Sequence, residues 1–441
     1  MITQSFFRFS LSLLVLIFVG CTDNGDSDSV NDSNSRLGAD SLTEEKKLEL
    51  EAARTSDTAK HSADSLKSAI PRISYSLFAV SNAKALDSIR RTYAKTKANW
   101  LAYRAFTTIN RKDIHYVRIG DSVLIPDSIS SDLRWYSVFP YYYQAAASIP
   151  KLLVISNEWQ SYACYEYGKL VRFAATNTGE ERKPTFPGRY AVNWKQRLRL
   201  SSLDSTWVLP FTVNIHQYAG SAMHQFDMPG RPVSHSCVRQ FLEDAEWIYN
   251  WVKVAQLDSN RRIIPLTGTP VIIHGLFDFS RKRGGPWLDI KDNSIQIADL
   301  PKQPMDVEPA LIPISQIPKA VRGALVDGDR YREAEGILRT RGWIRDHVQL
   351  RESIDYNKLR REKKNVARKP LLQIPSGRVD PLCHSRLSRL RRISFIALHN
   401  HYSSSGLHRL GQYCRSRFWM ASSAPKPSGL YNNVSLILDG K

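Results

Sequence analysis

One stretch of the sequence decides how the fold and the chemistry of the chain are interpreted: His224-Gln-Phe-Asp-Met-Pro-Gly-Arg-Pro-Val-Ser-His-Ser-Cys-Val-Arg239. It holds two histidines, His224 and His235, and the cysteine Cys237, around a Pro-Gly-x-Pro turn. A thiol that acts as a nucleophile needs a nearby base to take its proton and a local field that favours the thiolate. The stretch therefore predicts a nucleophilic Cys237 with His224 as its general base.

A helix is predicted directly after the cysteine. Acidic Glu243 and Asp244 suit its first turn. Its apolar stripe comprises Leu242, Ala245, Ile248, Tyr249 and Val252. We therefore expect Cys237 at or just before a helix N-terminus, where unpaired N–H groups and the positive end of the dipole favour a thiolate and can hold an oxyanion.

The sequence before this stretch is rich in predicted strands. Residues 151–156 form an apolar run, and 160–173 predict two strands around a turn at Gly168. Further strands are predicted at 189–194 and from Trp207. Short strands with this Gly and Pro punctuation predict a mainly β fold, a β-sandwich or barrel-like catalytic domain with a helix after the nucleophile and α/β accessory regions.

The motif resembles that of the L,D-transpeptidase catalytic domain family, in which a histidine is followed by Ser/Thr-His-Gly-Cys and an Ile/Val-Arg ending. The matching segment is Ser234-His-Ser-Cys-Val-Arg239, with Ser236 where the family usually has glycine. Supporting likenesses are the 160–169 hairpin, the Thr185-x-Pro-Gly188 turn and Gly268-Thr-Pro-Val271. The resemblance places the catalytic domain at 151–275.

The resemblance implies a role for each residue of the motif. Cys237 is the nucleophile that becomes acylated, and His224 is the base, oriented by the backbone carbonyl of Gln225. The residues that support the site or hold the oxyanion are His235, Ser236, Arg239 and Ser234. Arg239 matches a position that supports the site or a substrate carboxylate.

The implied reaction is acyl transfer on peptidoglycan stem peptides, which serve as donor and acceptor. The cysteine forms a thioester with a stem tetrapeptide, D-Ala leaves, and an amine acceptor gives a 3→3 cross-link. Two alternatives stay open: an L,D-carboxypeptidase or other hydrolase using the same site, and a catalytically idle, lipid-anchored peptidoglycan-binding protein. The reaction needs no metal or other cofactor.

Other histidines and cysteines compete with these assignments. His216 also precedes the motif, at a looser spacing, and His274 is predicted to end a strand. Cys164 lies on an apolar strand and is predicted to be a packed core residue. The group formed by His399, His401 and His408 lacks a matching carboxylate or cysteine constellation, so no metal site is predicted.

The N-terminal sequence predicts export. Residues 1–20 have a short apolar run that ends in Gly20, as in a secretory signal peptide. With the following Cys21 they resemble a bacterial lipobox, which implies lipid attachment at Cys21. Residues 21–40 predict a disordered tether and 41–70 a spacer helix. We therefore expect a membrane-tethered protein of the bacterial cell envelope that faces the periplasm.

The remaining segments predict accessory structure. Residues 72–150, with a helical pattern from Ala83 to Phe106, form an accessory region whose second half is weakly similar to a peptidoglycan-binding LysM module. Residues 276–362 predict strands and helices packed on the catalytic domain. For 363–441, a poorly ordered extension is favoured over a polybasic arm.

The net charge of +20 does not indicate a nucleic-acid partner. From Lys363 to Lys441 there are 14 Lys/Arg and two acidic residues, so more than half of the excess charge lies in this tail. The sequence contains no zinc-finger spacing, helix-turn-helix or RNA-binding signature. We therefore predict no nucleic-acid binding.

Overall fold

The computed structural model describes residues 44–297 and 299–368. Of these, residues 44–297 and 299–359 belong to one compact unit. The α-helices are α1 (Glu44–Ala69), α2 (Ala83–Thr92), α3 (Trp100–Asn110), α4 (Leu242–Trp251), α5 (Gly328–Thr340) and α6 (Tyr356–Arg368). The strands are β1 (Tyr75–Ala79), β2 (Ser122–Pro126), β3 (Leu152–Ser156), β4 (Ser161–Glu166), β5 (Lys169–Ala175), β6 (Gly188–Ala191), β7 (Trp194–Leu200), β8 (Val208–His216), β9 (Ser221–Gln225), β10 (Val238–Gln240) and β11 (Pro270–His274).

Two sheets form the catalytic domain. The strand order is β5-β4-β3-β11-β6 in the first and β10-β9-β8-β7 in the second. Most neighbours are antiparallel, but β3 pairs in parallel with β11, and β9 with β10. The apolar core includes Leu153 of β3, Val213 of β8 and Met223 of β9. The mainly β fold predicted from the sequence is confirmed.

Strand β3 is buried along its whole length because both faces are covered. Leu153 and Ile155 belong to the core that also contains residues of the second sheet. The alternate residues Leu152 and Val154 face a second core, which the accessory region helps to build. This explains why 151–156 is a continuous apolar run and not an alternating one.

The accessory region is a β-α-α-β arrangement in which β1 pairs antiparallel with β2. The predicted helical run from Ala83 to Phe106 is two helices, α2 and α3, and the expectation of one run was wrong. The connection between the two helices is held by hydrogen bonds of Asn99. Its side-chain Nδ2 donates to the carbonyl of Arg91 in α2 at 3.0 Å. Its backbone N–H donates to Thr96 Oγ1 at 3.2 Å, so local side-chain bonding replaces the helical ladder there.

Helix α1 is more than a spacer because it packs on the catalytic domain. Ala63 is fully buried. Lys169 Nζ, at the start of β5, donates to Ser62 Oγ at 2.5 Å. Ser56 Oγ lies 3.0 Å from the hydroxyl of Tyr142. The segment therefore adds a surface to the folded unit.

The C-terminal extension contains no strand among its described residues, which corrects the prediction of strands there. The apolar run 311–317 contains Pro313, whose ring cannot donate to a sheet ladder, and Pro318 follows it. The run instead packs through Ile317 into the core of the catalytic domain, together with Leu338 of α5.

Three predicted segments lie wholly or mainly outside the described residues. These are the signal peptide 1–20 with Cys21, the tether 21–40, and most of the tail 363–441. In the part of the chain that is described, no helix is long and apolar enough to cross a membrane.

Candidate active site

Strands β9 and β10 place the predicted nucleophile and base on one surface. They pair in parallel, with Arg239 opposite His224. Side chains two residues apart on a strand point to the same face, so Cys237, just ahead of β10, lies on the side of Arg239 and hence of His224. The thiol is partly exposed, and Cys237 Sγ lies 4.0 Å from the carbonyl oxygen of Gly220.

The environment of Cys237 differs from the helix N-terminus expected from the sequence. Helix α4 begins only at Leu242, and the residues between it and the cysteine form β10. Val238 and Gln240 are buried there, and pairing with β9 fixes them as a strand. The expectation that a helix dipole acts directly on the thiol was therefore wrong.

The thiol is neutral in the resting site. Burial raises the pKa of Cys237, and this effect outweighs the opposing influences of the Ala222 backbone and the Arg239 guanidinium. A neutral thiol is a poor nucleophile. If this thiol is a nucleophile, as predicted from the sequence, a base must remove its proton, so the position and protonation of that base matter.

His224 has the geometry of such a base. Its side chain is buried, and Nδ1 lies 2.9 Å from the backbone carbonyl of Gln225. Since a carbonyl oxygen can only accept, Nδ1 carries the hydrogen and Nε2 has a free lone pair. Burial, opposed by the Gln225 bond and assisted by Arg239, lowers the pKa of His224 to about 4. The imidazole is therefore neutral near pH 7.

Ser236 occupies a backbone conformation that suits glycine. Its φ is +79°, in the left-handed region that a side chain disfavours. The serine hydroxyl lies 2.9 Å from that of Ser221 on β9. The carbonyl of Ser236 accepts a hydrogen bond from Thr185 Oγ1 at 3.1 Å. The chain thus retains a turn typical of glycine while adding a side-chain hydrogen bond across the site.

Ser234 and Arg239 hold the two sides of the motif. Ser234 is buried, and its hydroxyl donates to the carbonyl of Cys237. The guanidinium of Arg239 lies 4.7 Å from the ring centre of Phe226, and its Nη1 donates to the carbonyl of Asp227 at 3.3 Å. Arg239 therefore contributes positive charge to the face that carries the thiol.

Comparison with known families identifies this domain. Residues 150–273 match the family model of the L,D-transpeptidase catalytic domain, YkuD. The family predicted from the sequence is confirmed for this segment. No curated protein matches the chain.

Solved L,D-transpeptidases show low similarity to the chain. The protein from Xylanimonas cellulosilytica is 19% identical over 46% of this chain and 98% of its own, with a TM-score of 0.27. The protein from Stackebrandtia nassauensis is 16% identical over 44% and 77%, also with a TM-score of 0.27. The protein from Mycobacterium smegmatis is 16% identical over 29% and 59%, with a TM-score of 0.24. The chain thus spans less than two thirds of the length of this last protein.

Within the L,D-transpeptidase domain, the second motif histidine is turned toward the C-terminal extension. His235 Nε2 accepts from Arg351 Nη1 at 3.4 Å, and its ring centre lies 5.3 Å from that of Trp207. Burial and the charges of Arg351, Lys183 and Arg239 lower the pKa of His235 to about 4. His235 is therefore a neutral acceptor that anchors the extension.

Several residues that shape the site were missed by the sequence interpretation. Loop 179–185 packs beside the motif, where the N–H of Glu180 donates to the carbonyl of Ser234 at 2.9 Å. The N–H of Arg351 donates to the carbonyl of Arg182 in the same loop at 2.8 Å. Neither segment carries a recognisable motif. The sequence predicted that the extension packs on the catalytic domain, but no local signal showed that it reaches the motif itself.

The other histidines and cysteine that competed for a catalytic role have surroundings that indicate structural roles. His216 Nδ1 accepts from the N–H of Ala219 at 3.1 Å within its own turn, and burial lowers its pKa to about 4. Cys164 is fully buried on β4, where burial raises its pKa. His274 ends β11, with Nε2 3.2 Å from Asp299 Oδ2. Among the described residues, no group of three or more His, Cys, Asp or Glu could hold a metal ion.

Proposed function

We propose that the chain is a peptidoglycan L,D-transpeptidase in which Cys237 is the nucleophile and His224 the general base. The observation that carries the proposal is the hydrogen bond from His224 Nδ1 to the Gln225 carbonyl, on a strand paired in register with the one that follows Cys237. This arrangement leaves Nε2 free to accept the thiol proton. The match of residues 150–273 to the family supports peptidoglycan stem peptides as the substrate class.

The first half of the reaction forms a thioester. His224 Nε2 takes the proton of Cys237 as the sulfur attacks the carbonyl carbon between the third residue of a stem tetrapeptide and its terminal D-Ala. The amides of Ser236 and Cys237 hold the tetrahedral oxyanion. When the C–N bond breaks, the imidazolium returns its proton to the departing amine. The products are free D-Ala and an acyl group bonded to sulfur.

The second half transfers the acyl group to an amine. His224 accepts a proton from the side-chain amine of a neighbouring stem as its nitrogen attacks the thioester carbonyl. The C–S bond then breaks, and the thiol recovers a proton from the imidazolium. A new amide bond joins two third residues, which is a 3→3 cross-link. Arg239 supplies positive charge near both developing anions.

We place the protein in the bacterial cell envelope, tethered through lipid on Cys21 and facing the periplasm. The support is the apolar run before Gly20-Cys21 and the polar, acidic segment after it. A tether keeps a catalytic domain close to a polymeric substrate, which raises its effective concentration. The cell wall lies in the same compartment as such an anchor.

The test uses the full chain in detergent with purified disaccharide tetrapeptide. We expect intact-mass measurement to show an acyl adduct on the chain, and chromatography to show dimers together with released D-Ala. The variant Cys237→Ala should lose both, whereas Cys164→Ala, the matched control in the buried core, should keep the adduct.

The products distinguish the proposed reaction from its alternatives. D-Ala release without dimers would identify a hydrolase that uses the same thioester. An unmodified wild-type thiol, both with the tetrapeptide and with a carbapenem as an acylating probe, would contradict the enzymatic proposal. Peptidoglycan binding without any adduct would then favour the idle binding protein.

A further inference from the structure

Three cationic side chains, Lys183, Arg322 and Arg351, lie together beside His235, and we refer to them as the cation cluster. The charges of Arg351 and Arg322 both act on Lys183, and the charges of Arg351 and Lys183 both act on His235. Arg351 Nη1 is 3.4 Å from His235 Nε2. The cluster therefore borders the motif at His235, which lies two residues before Cys237 in sequence.

Lys183 is the central member because it is buried without a partner. Only 4% of the residue is exposed. Within residues 44–297 and 299–368, its ammonium group makes no hydrogen bond or close ion pair. Burial and the charges of Arg351 and Arg322 lower its pKa to about 8, against the opposing charges of Glu180 and Glu352. Buried charges in proteins are normally paired, so this ammonium group is suited to an anion that arrives with a ligand.

Arg322 gives a second, independent indication of a ligand. Its Nε donates to the carbonyl of Ile317 at 3.0 Å, which fixes the guanidinium plane. Its Nη2 is buried and has no hydrogen-bond partner among the described residues. A fixed guanidinium with an unsatisfied buried N–H is a preorganised donor to a carboxylate.

Two acidic groups, Glu180 and Glu352, act on Lys183, but neither forms an ion pair with it. Glu180 Oε1 lies 2.9 Å from Arg351 Nη2, so this pair is complete. Glu352 Oε2 lies 3.3 Å from Lys319 Nζ on an exposed surface. Arg239 adds further positive charge on the side of the motif. Glu180 therefore neutralises Arg351, whereas among the described residues no carboxylate lies within ion-pair distance of Lys183 or Arg322.

The cluster is held against the motif by both of the segments that build it. Thr185 Oγ1, at the end of loop 179–185, donates to the carbonyl of Ser236 at 3.1 Å. On the other side, Gln316 Nε2 donates to the carbonyl of Arg351 at 3.1 Å. These contacts fix the position of the cations relative to the nucleophile.

We propose that the cation cluster binds a carboxylate of the peptide substrate. Lys183 and Arg322 are the hydrogen-bond donors, and Arg351 lies between them and His235. This proposal rests on the proposed function for the nature of the substrate. It extends that function because two of the three residues belong to the C-terminal extension, outside the matched segment 150–273. The extension thereby determines specificity for an acidic peptide.

The test measures binding without turnover, with the full chain carrying Cys237→Ala. Three stem tetrapeptides are titrated by calorimetry: one with all carboxylates free, one amidated at the C-terminus, and one amidated only at the other carboxylates. We expect the amide that removes the recognised group to bind about 10-fold to 100-fold more weakly. The amidated peptide that binds more weakly identifies the carboxylate that the cation cluster recognises.

Cluster variants are then compared on the same background. In Lys183→Met and in Arg322→Met, the dissociation constants of the free acid and of the weakly binding amidated peptide should lie within about threefold of each other. Lys302→Met, at an exposed lysine of the same extension, should preserve the full difference. Lys183→Met removes a buried unpaired charge and should fold at least as well as its parent.

Two results would overturn the proposal: equal binding of all three peptides, or a preference for the acid that survives in both Lys183→Met and Arg322→Met. Failure of the proposed function has a different signature. In that case the Cys237 thiol forms no adduct in the otherwise unchanged chain, while the calorimetric preference for the acid and its loss in the variants persist.

Discussion

Replacing Asp244 by asparagine removes the anion that two arginines share in the protein interior. Asp244 lies on α4 and is fully buried. Each of its carboxylate oxygens is 2.8 Å from Arg104 Nη2 of α3, and Oδ1 is 2.5 Å from Arg172 Nη2 of β5. Burial raises the pKa of Asp244, but the two guanidinium groups outweigh that effect and lower it. The carboxylate is therefore charged at neutral pH, and an amide cannot replace it.

The expected loss is large because Arg104 cannot reach solvent. Its side chain is 7% exposed, and when Asp244 is lost its remaining carboxylate partner is the partly exposed Glu243, with Oε2 3.6 Å from Nη1. Breaking one side of a buried ion pair costs about 3–5 kcal/mol. With each kcal/mol lowering Tm by roughly 2–4 °C in a domain of this size, we expect Tm to fall by roughly 6–20 °C.

Calorimetric melting of the full chain measures the effect, and Asp329→Asn is the matched control. Asp329 forms an ion pair with Arg332 at 2.5 Å, but both side chains are largely exposed. An exposed pair contributes about 0–1 kcal/mol, so this variant should shift Tm by only a degree or two. If Asp244→Asn lowers Tm no further than Asp329→Asn, the ion pairs of Asp244 with Arg104 and Arg172 do not stabilise the fold as their burial predicts.

Three further predictions concern the site. His224→Gln should slow acylation of Cys237 by about 10²–10⁴-fold, whereas His216→Gln should change it less than about threefold, as measured by intact-mass time courses. Because the pKa of His224 is about 4, its base form is lost only as pH falls through about 4; acylation that halves near pH 6.5 would contradict this. Ser236→Gly should change the free energy of unfolding by less than about 1 kcal/mol, since relief of the backbone strain at φ +79° offsets loss of the hydrogen bond to Ser221. Both variants lose the Ser221 bond, but Ser236→Ala keeps the backbone strain, so denaturant unfolding should show it about 1 kcal/mol less stable than the glycine variant.

The parts of the site that could be predicted from the sequence are those encoded by neighbouring residues. His224 and the carbonyl of Gln225 are adjacent in the chain, so their contact depends only on local backbone geometry. The order of strands likewise follows from apolar runs and turns, because each run must cover a core on one or both faces. Local patterns therefore give the fold class and the motif.

Other features required information from distant parts of the chain. Val238 to Gln240 form a strand because β9 lies alongside them, which moves the helix start five residues beyond Cys237. The sequence pattern of α4 gave no sign of that pairing. Burial of Lys183 similarly depends on contacts with residues far along the chain. Such positions have no local signal, since single cationic residues are usually solvated.

The end of the family match is not the end of the folded unit. Ile317, Leu338 and Ile344 lie beyond residue 273, yet they belong to the same core as Leu153 of β3. The extension that provides these apolar residues also carries Arg351 to His235. Folding and the shape of the site are consequently coupled: the contacts that bury the extension also position the charges beside the nucleophile. Sequence outside the matched segment thus shapes the surroundings of the motif.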